Sequence, residues 1–273
     1  MEATGYYHYK LAYFLQENEV LVSVENPLSV KRFIQMKLSK IKTDKSDSKM
    51  ICTYAEKVDL RLWEGESKQQ QECLQMTRTL SIYTKQSTAL KNKIHGEEVL
   101  GVPSKIVMSS LKRTLKAIAK EVKMIEEKLV GMIKKENQEL LTLLESIPGI
   151  GRKTNVLLLV LTDGFERFSS TSELCSYAGL TPVIRKSGSS VNGRPRISKI
   201  GNQKLRNLLF LCSFNAYKYN KACKALYDRI VAKEKSEKLA SIAVCNTLLK
   251  QAFAIVKSRL SDNQNYRSKL SIN

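Results

Sequence analysis

A heptad repeat of apolar residues in the middle of this 273-residue chain constrains its fold more than any other feature. From Leu111 to Met132 the apolar residues are spaced alternately four and three positions apart, which is the spacing of a coiled-coil seam. A weaker apolar stripe runs from Met76 to Ile94, and a glycine and a proline follow it. The pattern predicts a helical hairpin over residues 67–135, which is either packed within one chain or used as a dimer contact.

The sequence on the two sides of this hairpin predicts different structure. Residues 1–60 are typical of a mixed α/β segment, because a β-rich run, Glu19–Glu25, lies between two helical patterns. We expect Ser29 to cap the helix that follows this run. Residues 138–260 predict helices with a loop-rich insert near residues 182–197. The expected fold class is therefore α+β and mostly helical.

Positive charge dominates the composition, since lysine and arginine number 46 against 26 acidic residues and the net charge is +20. A field of this sign attracts polyanions, and nucleic acid is the expected partner, with an anionic lipid surface as the alternative. The charge is concentrated in the segment Pro182–Arg206, and no acid occurs between Glu173 and Asp228. A solvated helix face usually mixes signs, so this segment predicts a nucleic-acid contact. The basic residues expected to bind DNA there are Arg185, Lys186, Arg194, Arg196, Lys199, Lys204 and Arg206.

A Pro-Gly-Ile-Gly turn separates two helical patterns after the hairpin. Gly149 and Gly151 let the backbone come close to a partner, and the N–H groups that open the next helix favour a phosphate ligand. Arg152 and Lys153 follow at once and add positive charge. The pattern is typical of the helix-hairpin-helix element that binds the nucleic-acid backbone, and we expect these four residues to bind DNA. The alternative is a tight turn between helices in which glycine serves geometry alone.

Three acidic residues in the N-terminal part of the chain form a candidate metal site. Asp44 and Asp47 are three positions apart in a helical pattern, so that both carboxylates share one helix face, and Glu2 is the third acid. Carboxylate oxygens are ligands that Mg²⁺ accepts, and they bridge it to a phosphate. The alternative is structural: Asp44 caps the helix, and Asp47 stabilises the positive end of its dipole.

Serines and glycines lie side by side within the basic segment. A serine hydroxyl is a weak nucleophile unless a base or a cationic field activates it, and neighbouring arginines and lysines would also stabilise charge on a phosphate. From the residues alone, a phosphate-binding or flexible loop is the competing interpretation. The serines concerned are Ser187, Ser189 and Ser190.

Cysteine usage and the first residues bear on the compartment. The six cysteines include no Cys-x-x-Cys pair, and the chain has two histidines. We therefore expect buried free thiols and no zinc site. Met1 and Glu2 do not resemble the start of a signal peptide, and no uncharged apolar run is long enough to span a bilayer. We expect a cytoplasmic protein.

Several short motifs follow one another in a fixed order along nearly the whole chain. With this ordered set the sequence resembles the DEDD-type insertion-sequence transposases, the group that includes the Piv DNA invertase and the bridge-RNA-guided recombinases. The set is far more specific than any one of its motifs. It consists of Met1-Glu-Ala-Thr-Gly5, Asn26-Pro27, Lys42-Thr-Asp-Lys-Ser-Asp47, Ile147-Pro-Gly-Ile-Gly151, Tyr177-Ala-Gly-Leu-Thr-Pro182, Ser187-Gly188 and Gly193-Arg-Pro-Arg-Ile-Ser-Lys-Ile-Gly-Asn202.

The resemblance implies an arrangement of domains. A partial RuvC-like, RNase H-type α/β domain is expected over residues 1–62 and a helical hairpin (coiled-coil) arm over residues 63–137. An all-α transposase domain that carries the helix-hairpin-helix element is expected over residues 138–262, and residues 263–273 are expected to form a disordered tail. The resemblance also implies DNA as substrate and a homo-oligomer, and it leaves a guide (bridge) RNA open as an additional partner.

The resemblance assigns roles to particular residues as well. Glu2, Asp44 and Asp47 match three of the family's four metal-binding acids, and Mg²⁺ is the metal expected. Ser187 matches the serine that attacks the DNA strand and forms a covalent phosphoserine, with Ser189 as the second candidate. The basic residues that match those beside this serine are Arg194, Arg196 and Lys199.

The family's first acid lies upstream of the motif with which this sequence opens. We therefore expect an N-terminally incomplete, catalytically impaired chain, either because the true start is further upstream or because the gene is a decayed copy. The expected function is a transposase or site-specific recombinase that cuts and rejoins DNA through Ser187. Two alternatives stay open: a DNA- or RNA-binding module without chemistry, and a metal-dependent junction nuclease that uses the acids alone.

Overall fold

The computed structural model describes residues 1–38, 43–184, 186–187, 191–193 and 196–263. These residues are mostly helical and include a few very short strands, which confirms the expected fold class at that level. The chain divides into two units, Met1–Lys68 and Gln69–Asn273.

Within its described residues, the first unit has three helices and a small core. The Phe33 and Tyr54 rings meet edge to face with their centroids 5.2 Å apart, which joins the second helix to the third. The helices are α1 (Tyr7–Glu17), α2 (Pro27–Met36) and α3 (Asp44–Lys57). The buried apolar residues of this unit are Ala12, Val22, Val30 and Tyr54.

Helix α1 leaves one apolar stripe exposed. Tyr7, Leu11 and Phe14 recur at the spacing of one helix face, and their exposed fractions are 90%, 52% and 59%. Leu21, which follows the helix, is 80% exposed. In a globular protein a stripe with this spacing normally faces a core, so this surface of the first unit is unusually apolar.

The β-rich run at Glu19–Glu25 is not a regular strand, and the expectation of one was wrong. A single parallel bridge joins Glu2 to Glu25. In this bridge the Ala3 N–H donates to the Glu25 carbonyl oxygen over 2.9 Å, and the Glu25 N–H donates to the Met1 carbonyl oxygen over 2.8 Å. A strand needs a regular ladder to a neighbour along its length, and the other described backbone partners of this run are scattered, with the Trp63 N–H donating to the Val22 carbonyl oxygen and the N-terminal amine of Met1 to that of Ser23.

Ser29 does not cap α2, and that expectation was also wrong. The cap is Asn26, whose side-chain oxygen accepts a hydrogen bond from the Leu28 N–H over 2.9 Å. Pro27 is the first helical residue, a position where its fixed φ suits the helix and its missing N–H costs nothing. The Asn-Pro pair therefore starts the helix three residues earlier than Ser29 would.

Two long helices open the second unit where the heptad pattern predicts them. They are α4 (Lys68–Val99) and α5 (Lys105–Glu145). An ion pair between Lys128 of α5 and Glu72 near the start of α4 indicates that the two helices run antiparallel. Seam residues such as Ile118 and Val122 of α5 are half-buried. Asn137 has a non-helical backbone (φ −126°, ψ 35°) and kinks α5 where the expected arm ends.

Five further helices form a bundle in the described part of the second unit, and one of them, α10, carries ten buried residues. By length and composition α10 is apolar enough to cross a membrane, but 56% of its apolar stretch is buried within the protein, as in the core helix of a globular domain. The helices are α6 (Arg152–Thr162), α7 (Thr171–Tyr177), α8 (Gln203–Tyr219), α9 (Lys221–Val231) and α10 (Glu237–Ser258).

The insert between α7 and α8 contains two short antiparallel ribbons, so this region is not purely helix and loop as expected. In the outer ribbon Pro182 pairs with Ile197 and Val183 with Arg196. In the inner ribbon Lys186 pairs with Asn192 and Ser187 with Val191. The strands are β1 (Pro182–Val183), β2 (Lys186–Ser187), β3 (Val191–Asn192) and β4 (Arg196–Ile197).

Candidate nucleic-acid interface

The turn between α5 and α6 uses its two predicted glycines in different ways. Gly149 has a φ of +100°, and a Cβ there would lie 2.5 Å from the Cα of Ala216 in α8. Gly149 therefore lets the turn pack directly on α8, which is the structural alternative for this residue. Gly151 is exposed, precedes α6 as its N-cap, and has open space where a Cβ would be. Of the two, Gly151 is the one that a partner's backbone reaches without obstruction.

The two basic residues after the turn are exposed and take part in ion pairs. Arg152 Nε lies 2.9 Å from an oxygen of Glu145, and Lys153 Nζ lies 2.6 Å from an oxygen of Glu126. Exposed ion pairs contribute little to stability, so a phosphate competes readily for these cations. The first N–H groups of α6 have no acceptor within the helix, as at any helix start, and they lie beside Gly151. The turn thus offers positive charge and backbone donors on one surface.

The basic segment is divided between the surface and the interior. Arg196 in β4 and Lys199 just after it are exposed. Lys186 lies in β2, while Arg185 and Arg194 fall outside the described residues, as does Ser189. Arg196 and Lys199 are therefore the two members of this segment whose side chains the structure places in solvent.

Lys204 and Arg206 instead donate hydrogen bonds to backbone carbonyl groups of the protein itself. Lys204 Nζ donates to the Thr77 carbonyl oxygen of α4 over 2.5 Å, and burial lowers the pKa of this lysine to about 8. Arg206 Nη1 donates to the Ala178 carbonyl oxygen over 2.9 Å. Both were predicted from their charge to bind DNA, yet each is partly buried and holds a backbone carbonyl.

Ser187 is in the inner ribbon, where its backbone pairs with that of Val191. This pairing puts the residue on a two-residue strand inside the acid-free basic segment. The three predicted metal ligands belong to the other unit of the chain, Met1–Lys68.

Thr43, and not Asp44, caps α3. The Ser46 N–H donates to Thr43 Oγ1 over 3.1 Å, and the Thr43 N–H donates to Ser46 Oγ over 2.9 Å, which completes a capping box. Asp44 and Asp47 lie in the first turn behind this cap, where their charge stabilises the helix dipole. The capping alternative for Asp44 is thereby wrong, and the dipole alternative for Asp47 agrees with its position.

The structure does not bring Glu2 together with Asp44 and Asp47. Among the residues described, no three His, Cys, Asp or Glu side chains lie close enough together to hold a metal ion. Glu2 belongs to the bridge with Glu25. The Asp44–Asp47 pair alone matches the one or two carboxylates that Mg²⁺ uses when substrate phosphates complete its ligands. The three-acid site predicted from sequence is not assembled here.

A groove beside the outer ribbon contains polar residues that the sequence analysis missed. Lys238 and Asn246 of α10 line it together with Arg196 and Lys199. The pattern of α10 is that of a buried helix, and nothing in the linear sequence connects it to the basic segment. Only the packing of α10 against α8 brings these residues to one surface.

Two family models match successive parts of the chain. A DEDD transposase model of the IS110 type matches residues 1–99. A second model, described as "Transposase IS116/IS110/IS902 family", matches residues 141–228. The two matches define the class as transposase.

Individual relatives agree with this class. The chain is 28% identical over 263 residues to the pilin gene-inverting protein of Moraxella lacunata. This match covers 94% of the present chain and 79% of the relative. The Moraxella bovis protein of the same name matches equally. An uncharacterized 43.6 kDa protein of insertion element IS110 from Streptomyces coelicolor is 30% identical over 165 residues, 60% of this chain and 39% of that protein. The chain belongs to the IS110 family of transposases, enzymes that rearrange DNA.

Two general properties follow from this membership. The substrate of a transposase is DNA, which agrees with the net charge of +20. DEDD-type transposase domains typically use divalent metal ions.

Proposed function

We propose that this chain is a site-specific recombinase that cuts and rejoins DNA with Ser187 as its nucleophile. The observation that carries the proposal is the ordered match of both family models, with Ser187 inside the range of the second. The position of Ser187 in an acid-free basic segment supports it, because such a segment attracts the scissile phosphate. The relatives named pilin gene-inverting proteins suggest inversion of a DNA segment as one form of the rearrangement.

The proposed chemistry is a phosphoryl exchange. The Ser187 Oγ attacks the phosphorus of a phosphodiester, its proton passes to a base, and the bond from phosphorus to one deoxyribose oxygen breaks. The products are a phosphoserine ester and a DNA end with a free hydroxyl. When a hydroxyl of another DNA end attacks the ester, a new phosphodiester forms and the serine is released. Arg196 and Lys199 stabilise the negative charge that develops on the phosphate.

The acids are proposed as metal ligands. Asp44 and Asp47, with Glu2 as third acid, would hold Mg²⁺, which when bound polarises a phosphate oxygen. Because Glu2 is not assembled with the pair in this structure, the reaction above is written without a step through the metal.

The turn between α5 and α6 is proposed to act as a helix-hairpin-helix element. Gly151 and the cations of Arg152 and Lys153 would contact the DNA backbone, while Gly149 holds the turn against α8. Contacts of this type bind DNA without reading its sequence. The basic contact residues proposed for the ribbon segment remain Arg185, Lys186, Arg194, Arg196 and Lys199.

The domain arrangement belongs to the same proposal. It comprises a partial RuvC-like domain (1–62), an arm (63–137), a transposase domain (138–262) and a tail (263–273). The enzyme would act in the cytoplasm as a homo-oligomer, and a guide RNA is its proposed additional partner.

The decisive experiment is a search for a covalent protein–DNA adduct. The 273-residue chain is incubated with labelled DNA that carries the ends of its element, and SDS-resistant complexes are measured. We expect Ser187→Ala to abolish the adduct and the control Ser190→Ala to keep it. Loss of the adduct with Ser189→Ala, but not with Ser187→Ala, would transfer the role to Ser189. An adduct that survives both substitutions contradicts a nucleophile at either position.

A second candidate function is a DNA- or RNA-binding module without chemistry. The separation of Glu2 from the Asp44–Asp47 pair favours it, because no three described acids lie close enough together to ligate one metal ion. It predicts salt-dependent binding, no adduct with the parent chain or with any serine variant, and the same DNA affinity for Ser187→Ala as for the parent chain. A junction nuclease would instead lose cleavage with Asp44→Asn and Asp47→Asn and keep it with Ser187→Ala.

A further inference from the structure

A groove of about 970 Å³ opens between the β1–β4 ribbon and helices α8 and α10. Pockets that bind small organic molecules measure about 300–1,000 Å³, so this groove is far larger than a single phosphate requires. Its floor is apolar and comes from separate parts of the second unit. The floor residues are Leu180, Ile197, Phe210, Leu226, Leu239 and Ile242.

The rim of the groove carries positive charge. Arg196, Lys199 and Lys238 are exposed there, and Arg206 lines the groove while its Nη1 atom holds the Ala178 carbonyl. No acidic side chain is among the described residues that line it. The rim is therefore complementary to an anion, and its charges lie next to an apolar surface.

Amide side chains provide directional contacts between the rim and the floor. Asn207 and Asn246 line the groove, and neither side chain makes a hydrogen bond within the described parts of the chain. An amide both donates and accepts, which suits groups with neighbouring donors and acceptors. The edges of nucleobases have this character.

We propose that this groove holds unpaired nucleotides, with bases against the apolar floor and phosphates on the basic rim. The inference rests on the proposed function to the extent that nucleic acid is the partner. A duplex presents sugars and phosphates outward and keeps its base faces stacked, so the apolar floor contributes nothing to duplex binding. An unpaired strand offers its base faces, and burial of these on apolar side chains is the usual source of single-strand affinity.

Charge argues against a second copy of this chain as the occupant. Each copy carries a net charge of +20, and a docking surface from another copy would bring like charge to a rim of arginine and lysine. An unpaired strand of either DNA or RNA satisfies floor and rim together, because both have bases and phosphates.

The test compares short single-stranded DNA, RNA of the same sequence, and the DNA duplex by fluorescence anisotropy with the full chain. Ala243→Phe fills the groove from α10, and Ala225→Phe on the exposed side of α9 is its control. Lys238→Gln removes a rim charge, and Lys250→Gln removes an exposed charge from the same helix outside the groove. Far-UV circular dichroism and thermal melting establish that each variant is folded.

We expect Ala243→Phe to weaken single-strand binding about tenfold, as loss of base burial does. Lys238→Gln should weaken it several-fold, and neither control should change it. Duplex binding should be affected far less by Ala243→Phe. Loss for DNA alone identifies an unpaired DNA strand as the occupant, and loss for RNA alone identifies RNA.

Three results would overturn the proposal. The first is a folded Ala243→Phe variant that binds both single strands with parent affinity. The second is an equal loss of duplex and single-strand binding, which would make the rim a general phosphate contact. The third is a change in oligomeric state without a change in nucleic-acid affinity, which would assign the groove to a second copy. A missing Ser187 adduct leaves this test intact, because binding is measured without chemistry.

Discussion

The amine of Lys204 donates a hydrogen bond to the carbonyl oxygen of Thr77, across 127 residues of sequence. This contact ties α8 of the bundle to α4 of the long hairpin. Thr77 itself is buried, and its side-chain hydroxyl has no hydrogen-bond partner among the described residues. Lys204 therefore stabilises a junction between helices rather than offering its charge to the surface.

We expect Lys204→Met to lower the free energy of unfolding by about 1–2 kcal/mol, because a partly buried carbonyl loses a charged donor. Affinity for duplex DNA should stay within about twofold of the parent. Urea unfolding and anisotropy at constant salt measure the two effects, with Lys218→Met on the exposed side of α8 as control. A large loss of DNA affinity without a loss of stability would return Lys204 to the DNA contacts.

The contribution of Lys204 to the free energy of unfolding depends on pH, and its lowered pKa gives the sign of that dependence. Burial lowers the pKa of Lys204 from 10.5 to about 8, so between these values the folded chain binds fewer protons at this site than the unfolded chain does. Its contribution to stability therefore rises with pH across this window. The difference in unfolding free energy between parent and Lys204→Met should grow from pH 8 to pH 10. A constant difference would mean that the folded pKa is not lowered.

The two glycines of the α5–α6 turn should respond differently to alanine. Gly149→Ala requires a Cβ at positive φ and in collision with Ala216, and we expect a loss of about 2–4 kcal/mol. Gly151→Ala meets open space and should cost at most about 1 kcal/mol. Only Gly151→Ala is expected to weaken DNA binding while the fold persists. Thermal unfolding and anisotropy of the two variants separate packing from binding, and equal stability losses would contradict this division of roles.

Thiol accessibility tests the bundle core. Cys52 is exposed, whereas the other five cysteines are buried. Burial raises the pKa of Cys73 to about 11 and those of Cys223 and Cys245 to about 12. We expect one thiol to react rapidly with a disulfide reagent at pH 8, and Cys52→Ser to remove this phase. The buried thiols should react only as the chain unfolds, and rapid modification of more than one thiol would show that the core packing is wrong.

These buried thiols also affect stability in alkali. Their folded pKa values lie above the ordinary value of 9.0, so the unfolded chain loses its thiol protons first. The stability they contribute is complete below pH 9 and is lost progressively as pH rises toward 11–12.

The salt dependence of DNA binding should identify the cations that contact phosphate. Each neutralised phosphate adds about 0.9 to the slope of log K against log salt concentration. Arg196→Gln should therefore reduce the slope by about one, while Lys204→Met should leave it unchanged because its amine is engaged internally. Identical slopes for Arg196→Gln and the parent chain would remove Arg196 from the interface.

Sequence predicted the features of this chain that depend on local periodicity. The heptad spacing around Ile118 and Val122 marks a helix wherever it occurs, and α5 is found there. The Pro-Gly-Ile-Gly turn was placed for the same reason, because its residues break a helix locally. The ordered motifs led to the family, since their order is a property of the sequence itself.

What sequence did not predict depends on contacts between distant segments. The charge of Lys204 suggested a phosphate, and only the packing of α8 against α4 shows that a carbonyl is its partner. The run Glu19–Glu25 has strand composition, yet a strand forms only where a neighbour supplies hydrogen bonds. The separation of Glu2 from the Asp44–Asp47 pair is likewise tertiary, and no spacing rule contains it.

The apolar stripe of α1 has a consequence for the colloidal behaviour of the chain. The stripe exposes apolar side chains to water at Tyr7, Leu11 and Phe14. The long-range repulsion between copies of a protein with a net charge of +20 keeps such apolar surfaces apart. Added salt shortens the range of that repulsion, from about 30 Å at 0.01 M to about 3 Å at 1 M, and leaves the apolar attraction in place. Ionic strength that weakens binding to nucleic acid therefore also weakens the repulsion that keeps these apolar faces apart.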